Sequence, residues 1–148
     1  MNWRNNLIDD AEAIRGLLEE TRRIAVLGIK TEAQSSQPAF YVPQYMAQAG
    51  FEIIPVPVYY PNATEILGQP VYRKLVDVPG EIDLVNVFRR PDDVPGHLED
   101  LLAKKPKAVW MQSGIRHDQT AETLAQAGIR VVQDRCLMVE HRSLGRRR

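Results

Sequence analysis

The residues with chemistry to offer fall in five short runs, four of them at or just past the end of an apolar stretch. Gly28-Ile29-Lys30 starts a polar loop that continues through Ser35 and Ser36 to Gln37. A glycine there lets main chain approach a phosphate, and the lysine, the two hydroxyls and the N–H groups of a following helix can donate to it. Pro55 and Val56 offer an apolar wall. Phe88-Arg89-Arg90 supplies an aromatic face and guanidinium groups suited to phosphate. Gln112-Ser113-Gly114 supplies uncharged hydrogen-bonding groups. It is not the Gly-x-Ser-x-Gly elbow of hydrolases, because position 111 is Met and position 115 is Ile. Cys136 with Glu140 and His141 has the residue types of a thiol site. A nucleophilic thiolate needs its base close in space, which spacing alone does not place, and packing is the plainer role for a single cysteine. Each of the other runs also has a structural reading: a solvated loop, a strand-end turn, or surface arginines paired with Asp92 and Asp93. Three scattered histidines and one cysteine give no recognisable metal-ligand spacing.

The elements around the first run give it direction. Ile24 to Ile29 is apolar with β-branched residues, Pro38 opens a helical segment ending at Gly50, and Ile53 to Val56 is a second apolar strand. This strand–loop–helix–strand order begins an open parallel sheet that binds a phosphorylated nucleotide. A NAD-binding unit usually carries an acid near the end of the second strand, to hold the ribose hydroxyls. Here that end reads Pro55-Val56-Pro57-Val58-Tyr59-Tyr60, without an acid. The unit is therefore not built for a free ribose diol.

The rest of the chain alternates in the same way. Leu7, Ile8, Ala11, Ile14, Leu17 and Leu18 predict an amphipathic helix over 4–20. Pro43 lacks an N–H and fits the first turn of a helix, which predicts that the second helix proper starts near 39–41. Residues 57–81 are punctuated by Pro and Gly, with one helical turn around 72–76. A third strand is predicted over 83–88 and a helix after Pro91, closing at Lys104 and Lys105 before Pro106. A fourth strand covers 108–112, a helix capped by Asp118 runs to Gly128, and a fifth strand covers 129–133. His117 is read as a helix-start residue rather than a base. The sum is an α/β fold: a Rossmann-type, doubly wound, five-stranded parallel sheet with an N-terminal helix. Its crevice lies outside the carboxyl ends of the strands, at the switch point beside the first one.

Composition narrows the class. A chain of 148 residues is one domain's worth, and 44% hydrophobic with 26% charged residues is ordinary for a globular protein. Nineteen basic residues balance nineteen acidic ones, so bulk charge points to neither nucleic acid nor a membrane surface. The basic run Arg146-Arg147-Arg148 is read as a solvated tail. One cysteine excludes an intramolecular disulfide. No apolar stretch approaches bilayer length and no apolar signal core stands at the N-terminus, so the expected location is the cytoplasm.

Read this far, the chain resembles the stand-alone coenzyme A-binding proteins, which are similar to the coenzyme A-binding Rossmann domain of the succinyl-CoA synthetase α-subunit. The runs that carry the resemblance are Ile24-Ala25-Val26-Leu27-Gly28, Tyr41-Val42-Pro43, Ile54-Pro55-Val56 and Ile66-Leu67-Gly68. They continue with Asp83-Leu84-Val85, Phe88-Arg89-Arg90-Pro91 and Val109-Trp110-Met111-Gln112-Ser113-Gly114-Ile115. The last is Asp134-Arg135-Cys136-Leu137-Met138-Val139-Glu140-His141. The resemblance covers about 24–141 and makes 1–148 a single domain. It implies that the ligand is coenzyme A or an acyl-CoA. Gly28, Ile29, Lys30, Ser35 and Ser36 would then serve the pyrophosphate, and Pro55 and Val56 the adenine. Phe88 and Arg89 would meet the nucleotide edge, and Gln112 and Ser113 the pantetheine. An acid after the second strand would repel the 3′-phosphate of coenzyme A, and none is there. Two positions depart from the family pattern: Gln37 stands where an arginine is usual, and Pro57 where an asparagine is. Glutamine supplies no charge for phosphate.

No catalytic residue is expected, because the resembled ligases use further domains for their chemistry. A binding or regulatory module, with a protein partner or a second copy of the chain as a possible associate, is the leading reading. Two others stand beside it: an NAD(P)-binding oxidoreductase or redox sensor, and a protein-interaction subunit that has lost its ligand.

Overall fold

The computed structural model describes residues 2–145; Met1 and the basic run 146–148 lie outside them. Among the described residues there are seven strands: β1 (Arg23–Leu27), β2 (Glu52–Val56), β3 (Glu65–Ile66), β4 (Gln69–Pro70), β5 (Leu84–Val87), β6 (Ala108–Met111) and β7 (Arg130–Val132). The α-helices are α1 (Ala11–Glu20), α2 (Pro38–Gln48), α3 (Leu98–Lys104), α4 (Asp118–Gln126) and α5 (Leu137–Gly145). Five strands pair in parallel in the order β2-β1-β5-β6-β7. The chain moves outward from β1 to β2, then comes back to β5 on the other side of β1. The carboxyl ends of β1 and β5 therefore flank the switch point, where an open sheet of this kind takes its ligand.

A parallel sheet covered on both faces needs apolar residues at consecutive positions, and these strands have them. Ala25, Leu27, Val85, Val87, Val109 and Met111 pack on one face with Leu101 of α3 and Leu124 of α4. Ile24, Val26, Leu84, Trp110 and Val132 pack on the other with Leu17 of α1, Met46 of α2 and Leu137 of α5. Pro55 is tolerated because β2 is an edge strand.

The five expected strands are present, with ends shifted by one or two residues. The helices differ more. Residues 3–6 form a 3-10 turn, and α1 starts only after Asp10, whose carboxylate accepts the Ala13 N–H at 2.8 Å. The segment between them is used elsewhere: Leu7 bridges to Val131, and the Ile8 N–H donates to the Val131 carbonyl at 2.8 Å, covering the β7 edge. Pro38, not a residue near 39–41, opens α2, and Pro43 lies inside the helix rather than in its first turn. After Arg90 a 3-10 turn, Pro91–His97, precedes the short α3, because Pro95 cannot donate into an α-helical ladder. His117, not Asp118, caps α4: its Nδ1 accepts the Thr120 N–H at 3.2 Å.

Three elements were not foreseen in the right place. The β3–β4 hairpin turns at Leu67 (φ 52°) and Gly68 (φ 73°), and Leu67 is not a turn-forming residue type. The helical turn expected at 72–76 is a 3-10 turn at Leu75–Asp77. Helix α5 follows directly on the Asp134-Arg135-Cys136 run.

Candidate functional site

Gly28 makes the closest approach at the switch point. It follows β1 with φ 88°, a conformation that favours glycine. A Cβ on it would lie 2.2 Å from the Phe88 carbonyl oxygen and 3.2 Å from Arg89 Cδ. The ends of β1 and β5 thus meet here with no room for a side chain, and the Arg89 side chain crosses over the glycine.

Main-chain donors in this loop are partly spent. The Gly28 N–H donates to Val56 O at 2.9 Å and the Lys30 N–H to Ala39 O at 3.1 Å. The Thr31 N–H donates to Gln34 Oε1 at 3.1 Å. Among the described residues, the N–H groups of Ile29 and Ala39 have no such partner. The Ile29 side chain is buried in the core, so only its main chain can face a ligand. Lys30 Nζ donates to Gln37 Oε1, so the residue that departs from the family pattern holds the lysine ammonium. Ser35 and Ser36 are exposed, past the 3-10 turn Glu32–Gln34, and do not line the cleft that follows.

That cleft has a volume of about 510 Å³. Four chain segments build it: Lys30 after β1, Gln37-Pro38-Ala39 at the start of α2, Phe88 to Pro91 after β5, and Gln112 to Ile115 after β6. Gln112 is 4% exposed. Its Oε1 accepts from Asn86 Nδ2 at 3.2 Å and from the Leu137 N–H at 3.3 Å, where α5 begins. Two donors on the oxygen fix which way the amide points, so Nε2 is the Gln112 atom left for the cleft. Asn86 is fully buried, and its Oδ1 has no partner among the described residues.

The loop after β6 is tied to the run after β7. Gly114 N–H donates to Asp134 Oδ1 at 2.7 Å, and Asp134 N–H to Ile115 O at 3.0 Å. Trp110 Nε1 donates to Arg135 O at 2.8 Å. Arg135 also holds the Asp9 carboxylate at 3.0 Å and Glu140 at 3.3 Å. The hydrogen bond to Asp9, more than offsetting burial, raises the Arg135 pKa, with Glu140 adding to it. The tryptophan and the Asp134-Arg135-Cys136 run are therefore joined as one brace. Cys136 is half-buried against the α1/α2/α5 face, while His141 bonds Tyr45 Oη through Nδ1 at 2.9 Å. Among the described residues no hydrogen bond joins a base to the Cys136 sulfur.

A second cleft, about 550 Å³, reaches the chain at Leu27, just before Gly28, where the first reaches it at Lys30, just after. Its lining is apolar at Leu27, Pro57, Val58, Val76 and Ala103, and polar at Arg73, Lys74, His97, Glu99 and Asp100. Pro55 and Val56, the expected wall, lie inside β2 and do not line this cleft; buried Pro57 and exposed Val58, just past the strand end, do. Arg73 clamps the loop beyond them, donating to the carbonyls of Tyr59, Tyr60, Pro61 and Ala63 at 2.8–3.3 Å. The two clefts meet at one hydrogen bond, from Arg89 Nε to His97 Nε2 at 3.1 Å. Asn86, Arg73 and His97 were not among the expected site residues. Only Asn86 carried a signal, as a polar residue inside an otherwise apolar strand.

Among the described residues no cluster of His, Cys, Asp or Glu could hold a metal ion, and no helix is long and apolar enough to cross a membrane.

An open parallel sheet with a glycine loop at its switch point and clefts on both sides defines a Rossmann-like α/β domain. The chain belongs to the CoA binding domain family, whose pattern matches residues 22–142. It is 34% identical over 128 residues to protein YneT of Bacillus subtilis (strain 168), covering 86% of this chain and 91% of that one. The Thermus thermophilus structure of cell-free ID.343 superposes with a TM-score of 0.83 at 40% identity, over 92% of this chain and 99% of that one. A dinucleotide-forming acetyl-coenzyme A synthetase from Ca. Korarchaeum cryptofilum, in complex with phosphate and ADP, shares the fold. Its TM-score is 0.63 at 23% identity, over 84% of this chain but 27% of the synthetase.

Proposed function

We propose that this protein binds coenzyme A or an acyl-CoA across the switch point, as a binding or regulatory module without a catalytic step of its own. The observation that carries the proposal is the bare crossing at Gly28, flanked by two clefts and overlain by the Arg89 side chain. The pyrophosphate crosses the glycine, where the Ile29 and Ala39 N–H groups, Lys30 and Arg89 are the donors. The adenine occupies the second cleft against Pro57 and Val58. The pantetheine runs through the first, past Phe88 and Ser113, with its amides on Gln112. Cytoplasmic location is part of the same reading, as is association with a second copy or a partner that senses the loaded state.

Calorimetric titration with coenzyme A, acetyl-CoA, dephospho-CoA and NADH tests it. Micromolar uptake of coenzyme A, weaker for dephospho-CoA and lost in Arg89→Gln, is the expected result. Folded protein that takes up NADH and no form of coenzyme A overturns it.

A further inference from the structure

Arg89 lays its side chain against Gly28, and His97, which lines the second cleft, holds it there. Its Nε donates to His97 Nε2 at 3.1 Å, while Nη2 stands 3.7 Å from Asp93 Oδ2. An arginine is always a donor, so Nε2 of His97 must carry the lone pair and Nδ1 the ring proton. Holding Nε fixes the plane of the guanidinium while Nη1 makes no bond among the described residues. Arg89 Cδ lies 3.2 Å from where a Gly28 Cβ would stand, so the guanidinium extends from the point where the ends of β1 and β5 leave no room for a side chain.

We propose that His97 is the positioning residue for the phosphate-binding arginine: its neutral imidazole holds Arg89 in the geometry that receives a pyrophosphate. The inference rests on the coenzyme A reading above, and adds to it a residue that does not itself touch the pyrophosphate and a dependence on pH. Protonated His97 has no lone pair to offer and repels the guanidinium, so the arginine is released and must be ordered again by the ligand.

The groups facing the ring decide where this happens. Arg89 and Asp93 face it from the strand end and the turn after it, Asp100 and Glu99 from α3, and Arg73 and Lys74 from across the second cleft. Burial, then the Arg89 charge, lower the His97 pKa against the opposing pull of Asp100 and Asp93. The ring is thus neutral at neutral pH and titrates below the ordinary histidine range.

The test is calorimetric titration of wild type, His97→Gln and His97→Leu with coenzyme A and, in parallel, inorganic pyrophosphate, across the range from neutral to mildly acidic pH. Leucine removes the acceptor, and glutamine replaces it with one that does not titrate. His97→Leu is expected to bind about tenfold more weakly at neutral pH, and His97→Gln within about twofold of wild type. Wild-type affinity falls more steeply on acidification than that of His97→Gln, whose decline follows only the protonation of the ligand's own phosphate groups. A nitrogen-15 NMR titration of the ligand-free protein reads the bond directly, as an Arg89 Nε–H signal that moves with His97 protonation. An Arg89 signal indifferent to that titration, or His97→Leu binding both ligands as wild type does, overturns the proposal. Wild type that takes up pyrophosphate but not coenzyme A overturns the ligand reading alone; loss of pyrophosphate binding in His97→Leu then still supports the positioning role.

Discussion

The main-chain N–H of Lys30 donates to the carbonyl of Ala39 at 3.1 Å, and the carbonyl is available because of a proline four residues on. In an unbroken helix Ala39 O would accept from the N–H of residue 43; Pro43 has none. The proline that breaks the ladder of α2 therefore frees the acceptor that ties the glycine loop to the helix. Pro43→Ala restores the competing donor. The expected outcome is faster hydrogen exchange at the Lys30 amide and weaker coenzyme A binding, with the global unfolding midpoint little changed. Exchange measured by NMR checks it; an unaltered Lys30 rate would show that the loop is held by other contacts.

Gly28 and Gly114 both line the sheet end at positive φ, yet they differ in what surrounds them. A Cβ at Gly28 meets the Phe88 carbonyl at 2.2 Å, whereas one at Gly114 meets nothing within 4 Å. Gly114→Ala bears only the backbone cost, roughly 1 kcal/mol. Gly28→Ala adds a clash between two main-chain segments and is expected to cost about 3 kcal/mol or more in urea denaturation. Equal losses at the two sites would mean that β1 and β5 separate easily at the switch point.

That contrast shows what was legible in the sequence. Apolar runs between Gly and Pro punctuation placed all five sheet strands, because burial on both faces leaves a strong signal. Gly28 was legible for the same reason, as a break at a strand end. Position in a loop was not. Ser35 and Ser36 look like phosphate donors in sequence, but the 3-10 turn Glu32–Gln34 carries them to an exposed stretch away from the cleft. Pro55 and Val56 were placed too early by the shape of the motif, since the strand runs through Val56 and its end begins at Pro57. His97 left no local signal, because its partner Arg89 is fixed by tertiary packing, eight residues away across a 3-10 turn.

Asp83 links pH to stability at the opposite end of the sheet. Burial pushes its pKa up, but the Arg23 and Arg22 main-chain N–H groups at 2.9 and 3.0 Å, together with Lys107, outweigh it and hold the carboxyl below its ordinary range. A depressed carboxylate stabilises the fold fully above its unfolded pKa, and that contribution is lost as pH falls through the folded one. Asp83→Asn keeps an acceptor oxygen for the two N–H groups and removes the titration. Thermal melts from neutral to acidic pH should therefore fall less steeply for Asp83→Asn than for wild type at the acid end. Parallel curves would remove Asp83 from the acid response.

Gln112 separates holding the fold from meeting the ligand within one side chain. Its oxygen serves the fold, accepting from Asn86 and from the first N–H of α5, while its nitrogen is left for the cleft. Gln112→Glu keeps an oxygen for both donors, and its charge sits at the positive end of α5. The same change replaces the cleft-facing donor with an acceptor and brings a negative charge toward an anionic ligand. The variant is expected to stay folded and to bind coenzyme A at least about tenfold more weakly, the scale of one hydrogen bond to a charged or mispaired group. Gln112→Leu removes the same cleft donor without adding a charge, and it also strands the Asn86 amide and the Leu137 N–H in the core, at about 1–3 kcal/mol. Denaturation and calorimetry on the pair should thus rank them in opposite orders. Coenzyme A binding as tight as wild type in both variants would mean that the amide nitrogen has no part in it.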